Sequence, residues 1–346
     1  MKAVLYRKSG GPEVLEYTDV ADPEPGPQDV VVRVVLTALN HLDVVQRNGW
    51  YAMPGFTLPH IAGMDVAGEV VAVGADVTGT HIGDRVVIDP SLSEVPEGSR
   101  FSGRGDRYGD LAVIGATVDG GYAEYCLAPA SHVHVIPPAM SYYKAATFPT
   151  CWVTAWHALL TVGELQAGET VLIHAAGSGM SVAAIQLARW RGATVLATAG
   201  SDEKCAKAKK IGATAAMNNR TGDVAAWVRA MSKDEGVDMV LDHVGAALFE
   251  QSMLSLRVRG RLVNVGNTSG DRATIPSLGR LYGMGQRILG SDPYRHSEFA
   301  RCWGVFCTND FESEIDTVYS LSEAGRAQQQ MLDSDFFGKI LLDPSR

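Results

Sequence analysis

The chain of 346 residues has no stretch of eighteen uninterrupted apolar residues, which excludes a transmembrane helix of the ordinary kind. It has no CxxC pair. Its five cysteines (Cys126, Cys151, Cys205, Cys302 and Cys307) are odd in number and scattered, so reduced thiols in a reducing compartment are expected in place of a disulfide framework. It has no surplus of positive charge either. The net charge is −9 and the basic residues are dispersed except around Lys204–Lys210 and Arg257–Arg261, which argues against a nucleic-acid surface. No repeat or low-complexity linker interrupts the chain. Its opening, "MKAVLYRKSGGPEVLEY", lacks the apolar core of a secretory signal, so a cytoplasmic, non-membrane protein is expected.

What is present is an ordinary globular composition, 46% apolar and 20% charged, in a chain longer than one hydrophobic core usually serves. The period of the pattern changes near residue 140. Before it, short β-branched runs (Asp29–Leu36, Gly68–Val73, Arg85–Ile88) between Gly, Pro and Asp predict a mostly antiparallel β domain. After it, strand-like and helix-like segments alternate: Thr170–His174, Met180–Arg191, Ala193–Thr198, Asp202–Ile211, Val237–Leu241, Ala246–Leu254 and Arg261–Val265. That rhythm predicts an α/β fold with a doubly wound parallel sheet. The rhythm fades near Pro293, and the closing "FFGKILL" reads as a strand returning to the first domain. The expected division is a β domain of residues 1–136 completed by 293–346, and a dinucleotide-binding domain of residues 137–292.

The turn in "VLIHAAGSGMSVAAIQLA" joins a buried strand to a helix, the arrangement that places helix N-terminal N–H groups against a pyrophosphate. Against GxGxxG the glycine places hold Ala176, Ser178 and Ser181, with glycines at 177 and 179, so the turn also reads as an ordinary strand-to-helix connection. Gly177, Ser178, Gly179, Met180 and Ser181 are the candidate phosphate holders, the two serine hydroxyls as donors. After the next strand, a site for NADH would carry a carboxylate; here stand Ala199-Gly200, with Ser201 and Lys204 behind. A hydroxyl and an ammonium suit the 2′-phosphate of NADPH, while Ser201 also reads as a simple helix cap.

Several motifs in order resemble the medium-chain dehydrogenase/reductase superfamily over almost the whole chain. They are Asn40-His41-Leu42-Asp43, "RNGWY" (47–51), "GMDVAGEVVAVG" (63–74), "GDRV" (83–86), "DGGYAEY" (119–125), "TAWHAL" (154–159), "VNVGN" (263–267) and "FGKILL" (337–342). The resemblance implies a GroES-like β domain with a Rossmann domain, and a homodimer or homotetramer. It also implies cofactor contacts at Thr154, Asn219, Val244, Gly266, Asn267 and Lys339, although Thr154 also reads as a helix-interior threonine and Gly266-Asn267 as a turn.

The zinc-dependent members of that superfamily bind a catalytic metal through a Cys, a Gly-His-Glu and a further Cys or Asp. The corresponding places here read Asn40, Gly63-Met64-Asp65 and Thr150 beside Cys151, a set expected to lack the soft donor zinc requires. Those relatives also carry a four-cysteine lobe. Its spacing falls here on Glu94, Glu97, Arg100 and Tyr108, so a lobe without its metal is expected, packed through Phe101 and Tyr108 or laced by ion pairs among Glu94, Glu97, Arg100, Arg104, Asp106 and Arg107.

The zinc-independent branch, quinone oxidoreductases and enoyl reductases, shows N-x-x-D…R-x-G-x-Y, filled here by Asn40, Asp43, Arg47, Gly49 and Tyr51. Resemblance assigns Tyr51 as donor to the acceptor oxygen and Asn40 to orienting ribose or substrate. Tyr51 as a rim residue and Asn40 as a polar strand end are the alternatives. The expected activity is NADPH-dependent, zinc-free hydride transfer to an α,β-unsaturated carbonyl compound or a quinone. An alcohol dehydrogenase or carbonyl reductase, or a non-catalytic NADPH-binding protein, are the other readings.

Overall fold

The computed structural model describes residues 1–103 and 111–346, and Arg104, Asp106, Arg107 and Tyr108 lie outside the described residues. The chain divides into two compact units, Met1–Val153 with Tyr294–Arg346, and Thr154–Pro293. The first unit begins with β1 (Lys2–Tyr6), β2 (Glu16–Asp19) and β3 (Asp29–Ala38), then α1 (His41–Asn48), β4 (His60–Ile61), β5 (Asp65–Val73), β6 (Arg85–Ile88), β7 (Tyr125–Pro129) and β8 (Val133–Val135), with α2 (Tyr142–Ala146) and the start of α3 (Pro149–Trp156) behind them. Its central strand, β3, reads DVVVRVVLTA and is buried at nearly every position because β5 and β7 flank it, both antiparallel. β-Branched residues fit such a doubly covered strand. At its end, Asn40 opens α1, and the Asp43 carboxylate reaches back to the Asn40 N–H at 2.9 Å, satisfying a donor the helix leaves open.

The second unit alternates β9 (Thr170–Ile173), α4 (Gly179–Trp190), β10 (Thr194–Ala199), α5 (Asp202–Lys210), β11 (Ala215–Asn218), α6 (Val224–Met231), β12 (Val237–Asp242), α7 (Phe249–Ser255), β13 (Leu256–Asn264), α8 (Leu278–Gly283) and β14 (Arg287–Gly290). All pairings are parallel and the order is β11-β10-β9-β12-β13-β14, the six-stranded dinucleotide-binding arrangement with its switch between β9 and β12. The expected strand at Arg261 begins earlier, at Leu256, and the expected helix at Ala246 begins at Phe249. β11 and β14 are not among the expected strands: AAMN and RILG are short and carry little β-branched or alternating signal. β14 is one edge of the sheet, and Val258, Leu278, Tyr282 and Ile288 are exposed on β13, α8 and β14.

The chain then returns to the first unit through α9 (His296–Thr308), β15 (Ile315–Ser320), α10 (Ala324–Leu332) and β16 (Lys339–Asp343), and β16 pairs antiparallel with β3. Residues 137–153, expected in the dinucleotide domain, belong here. The reason is aromatic: Phe148 packs on Phe299, Trp303 and Phe306 of α9, and Trp152 on Phe306 and Phe311.

The described part of the lobe is held by packing and by one carboxylate. Leu92 is fully buried with Val95 and Phe101 against β3, β5 and β6. Asp29 accepts from Gly26 N at 3.1 Å and from Arg100 N at 2.9 Å, while Gly98 O accepts from Gln28 N. Ion pairing contributes little there, since Arg100 and Glu24 are exposed and 4.0 Å apart. Asp29→Ala frees the Arg100 N–H and is expected to destabilise the protein by about 1–3 kcal/mol. Amide exchange should quicken at 98–101 well before global unfolding; unchanged protection there would show that the described part of the lobe is held by the packing of Leu92 and Phe101 and not by Asp29.

Candidate active site

In the first unit the places aligned with a catalytic metal converge on a lysine. Lys339, the first residue of β16, points its ammonium into the protein, where Nζ lies 2.7 Å from Leu39 O, 3.0 Å from Asn40 Oδ1, 2.8 Å from Asp65 Oδ2 and 3.5 Å from Cys151 Sγ. Asp65 is fully buried and Lys339 nearly so. The carboxylate's other oxygen accepts from Thr150 N at 2.8 Å, and Cys151 Sγ lies 3.8 Å from Asn40 Oδ1. Burial pulls the lysine's pKa down, but Asp65 and Cys151 more than offset it, so Lys339 titrates above the ordinary lysine range. Burial pushes the Cys151 thiol up, opposed by the same ammonium.

One turn along α1, Asp43 is buried beside this cage. Desolvation raises its pKa to about 7 against the Asn40 N–H and the Tyr122 hydroxyl, which donates to Oδ2 at 3.1 Å. The "GMD" glycine has a steric reason: a Cβ on Gly63, where φ is +103°, would lie 2.8 Å from Tyr122 N. Met64 packs in a small apolar cluster with Leu111, Val113 and Ala116, and His41 is exposed near Phe336.

A second convergence joins Asp89, His132 and His296, the one trio of potential metal ligands among the described residues. His132 Nε2 faces Ser93 O at 3.0 Å and Nδ1 faces Ser131 Oγ at 2.9 Å, so the ring donates through one nitrogen and accepts through the other. No lone pair remains for a metal. Asp89 takes His296 Nδ1 at 2.7 Å, Tyr294 OH at 3.0 Å and Ser91 N at 3.0 Å, which pins the start of α9 to the end of β6.

In the second unit the candidate phosphate turn lies between β9 and α4. Ser178 caps α4 and accepts from Ser181 N at 3.1 Å. Its hydroxyl, however, donates to Ser181 Oγ at 3.1 Å, and Ser181, fully buried, donates to His174 O at 2.7 Å and faces His243 Nε2 at 2.8 Å. Neither serine hydroxyl is thus free for phosphate as expected. The first-turn N–H groups of Gly179 and Met180, which helix geometry leaves without intrahelical partners, are what the turn offers an anion. Beneath it, His174 bridges Thr198 Oγ1 at 2.8 Å and Ser252 Oγ at 3.0 Å, and Ser252 donates to Asp242 Oδ2 at 2.9 Å. Burial lowers the pKa of His174 and, to about 4, that of His243, so both are neutral pins.

At the ends of β12 and β13 the loops are zipped together. Asp242 Oδ1 takes the N–H groups of Val244 and Gly245 at 2.9 Å each, and Val244 O accepts from Ser269 N at 2.8 Å. A Cβ on Gly245 would meet Gly270 O at 2.7 Å and Asn267 Cα at 2.9 Å.

With this geometry in hand, residues 26–138 match the family described as "Alcohol dehydrogenase GroES-like domain", and residues 179–306 match "Zinc-binding dehydrogenase". A quinone oxidoreductase of Pseudomonas aeruginosa is 32% identical over 352 residues, covering 99% of each chain. The chain belongs to the medium-chain dehydrogenase/reductase superfamily, in its quinone oxidoreductase-like branch. An acryloyl-coenzyme A reductase of Metallosphaera sedula is 27% identical over 99% of both chains. Among solved structures, an NAD-dependent alcohol dehydrogenase aligns with a TM-score of 0.90 at 37% identity over 99% of both chains. The Escherichia coli quinone oxidoreductase complexed with NADPH gives 0.83 at 26%, over 99% of this chain and all of that one. Membership makes the chain an NAD(P)H-dependent oxidoreductase.

Several expected roles within that superfamily shift. Lys339 is committed to the cage, where its charge has a buried carboxylate partner, and leaves no donor for a cofactor. Asn40 gives its side-chain oxygen to the same ammonium, so that oxygen holds the cage. Val244 has both backbone groups spent on Asp242 and Ser269. The soft donor expected to be missing is Cys151, whose thiol does point among Asn40, Asp65 and Lys339; a helix starting at Pro149 turns Cys151 inward and leaves Thr150 supplying only its N–H. Tyr51 is 42% exposed beyond the end of α1, and Thr154 is half-buried in α3. Gly266 O accepts from Asn264 Nδ2, Asn267 O from Gly270 N, and Asn219 donates its N–H to Ala199 O at 3.0 Å.

The ion pair is testable by its absence. Lys339→Met strands the Asp65 charge and should destabilise the protein by about 3–5 kcal/mol in urea unfolding. Lys339→Met with Asp65→Asn should recover more than half of that loss. Equal stability of single and double variants would show that the lysine matters through packing, not charge.

Proposed function

We propose that the chain is an NADPH-dependent, zinc-independent reductase that delivers hydride to a small activated acceptor, an α,β-unsaturated carbonyl compound or a quinone. The observation that carries this reading is the Lys339 ammonium between Asn40, Asp65 and Cys151. A cation belonging to the chain already fills the point where those donors meet, and it would repel a divalent ion. The donor set therefore does not fit zinc, and the lobe positions Glu94, Glu97 and Arg100 offer no thiolate. NADPH supplies the hydride when bound. The first turn of α4, between Gly177 and Ser181, fits its diphosphate, because the serine side chains turn inward and the backbone N–H groups remain.

Reduction of an unactivated ketone needs strong polarisation of its oxygen, the work a Lewis-acidic metal does. A conjugated acceptor needs less: hydride adds at the β carbon and a single phenol can steady the oxygen that gains charge. Tyr51, exposed after the α1 cap at Gly49, is the donor assigned here. The names of the quinone oxidoreductase and acryloyl-coenzyme A reductase relatives support activated acceptors, and the NADPH complex of the E. coli enzyme supports the cofactor. The alcohol dehydrogenase neighbour at 37% identity supports a second reading, oxidation of an alcohol with NAD.

Protein purified from zinc-containing medium should hold far less than one zinc per chain and should oxidise NADPH against enones or quinones in the presence of a chelator. One tightly held zinc, or turnover confined to alcohols, would overturn the proposal. Tyr51→Phe should lower kcat on the best enone by about 10²–10³-fold with cofactor affinity level. An unchanged single-turnover rate would remove Tyr51 from the chemistry.

A further inference from the structure

We infer that Arg220, at the end of β11, is the residue that selects NADPH over NADH, by receiving the 2′-phosphate of the adenosine ribose. The inference rests on the NADPH reading above and names the residue that enforces it.

β10 and β11 run parallel and end together, with Ala199 opposite Asn218 and Asn219 N bonded to Ala199 O at 3.0 Å. In a doubly wound nucleotide-binding sheet, the strand after the phosphate turn ends where the adenosine ribose lies. A carboxylate there accepts from a 2′-hydroxyl, and an arginine nearby accommodates a 2′-phosphate. Here β10 ends in Ala199-Gly200 without a carboxylate. The Arg220 guanidinium fills the space beside it: a Cβ on Gly200 would lie 3.2 Å from Arg220 Nε and 3.5 Å from Nη2. The Arg220 backbone is fixed by its N–H to Asn218 Oδ1 at 3.1 Å. Its side chain is exposed and, among the described residues, has no hydrogen-bond or ion-pair partner.

The neighbouring acids do not neutralise it. Asp202 accepts from Asn218 Nδ2 at 3.0 Å, and Glu203 pairs with Lys207 at 2.9 Å. Ser201 Oγ is engaged as the cap of α5 by Lys204 N at 3.2 Å. A planar guanidinium with its donors unspent matches a phosphate in a way a lysine point charge does not. Gly200 fits the same assignment, since any side chain there would press on the guanidinium.

Binding alone tests it, without turnover. By calorimetry, wild-type protein should bind adenosine 2′,5′-bisphosphate more tightly than adenosine 5′-monophosphate. Arg220→Met should cut that preference at least about tenfold and leave the monophosphate within about twofold, the effect of losing one charge-assisted contact. Arg220→Lys should retain part of it, and Lys204→Met should cost less than Arg220→Met. If wild type shows the preference and Arg220→Met keeps it, Arg220 is not the selector although the NADPH reading stands. If wild type binds the two nucleotides equally, the NADPH reading fails and the inference with it.

Discussion

A single buried charge, the Lys339 ammonium, holds together the part of the first unit where the chemistry is expected. It meets Asp65 at the start of β5, Leu39 and Asn40 at the end of β3, and Cys151 in the first turn of α3, while Asp65 in turn receives the N–H of Thr150. Four separate segments are thus tied to one point. Burying an ion pair is favourable only when the remaining lone pairs and hydrogens find partners. Here the ammonium's acceptors and the carboxylate's donors are all supplied by the protein. Asp43 nearby is buried as well, and that burial raises its pKa to about 7.

The second unit follows a related logic with neutral groups. His174 and His243 are held uncharged by burial, and with Thr198, Ser252, Asp242 and Ser181 they fasten the carboxyl ends of β9, β10 and β12. Polar side chains that look like ligands in the sequence are turned inward to fix a backbone. What remains for an anion is main chain at the start of α4, where the first-turn N–H groups have no intrahelical partner. A scaffold of this kind presents the same N–H groups whatever substrate its other unit accepts.

Much of this was legible beforehand, and the failures have identifiable causes. The change of period near residue 140 announced two architectures, and the strand–turn–helix at 170–190 announced the nucleotide-binding unit. The boundary fell later than the period suggested, since Phe148 and Trp152 are claimed by aromatic residues of α9, far away in sequence. Motif spacing located Asn40, Asp65 and the region of Cys151, but it could not reveal that the "FGKILL" lysine lies among them. That contact spans 299 residues and exists only through the pairing of β16 with β3. Arg220 escaped for a similar reason: its significance comes from the parallel register of β10 and β11, and AAMN carries no strand signal. Ser181 and the main chain of Val244 satisfy the protein's own polar groups, a use that hydroxyl and loop positions do not announce in sequence.

The position of Lys339 also bears on how the protein is made. A domain organised around an ion can gather its ligands as soon as they are synthesised, whereas here the organising charge lies in β16, close to the end of the chain. Until that strand pairs with β3, Asp65 has no buried counter-charge and the end of β3 has β5 on one side only. The first unit therefore lacks its last strand until the whole second unit has been synthesised. The second unit, all of whose strands lie between residues 170 and 290, can fold during synthesis while the first waits as an open sheet.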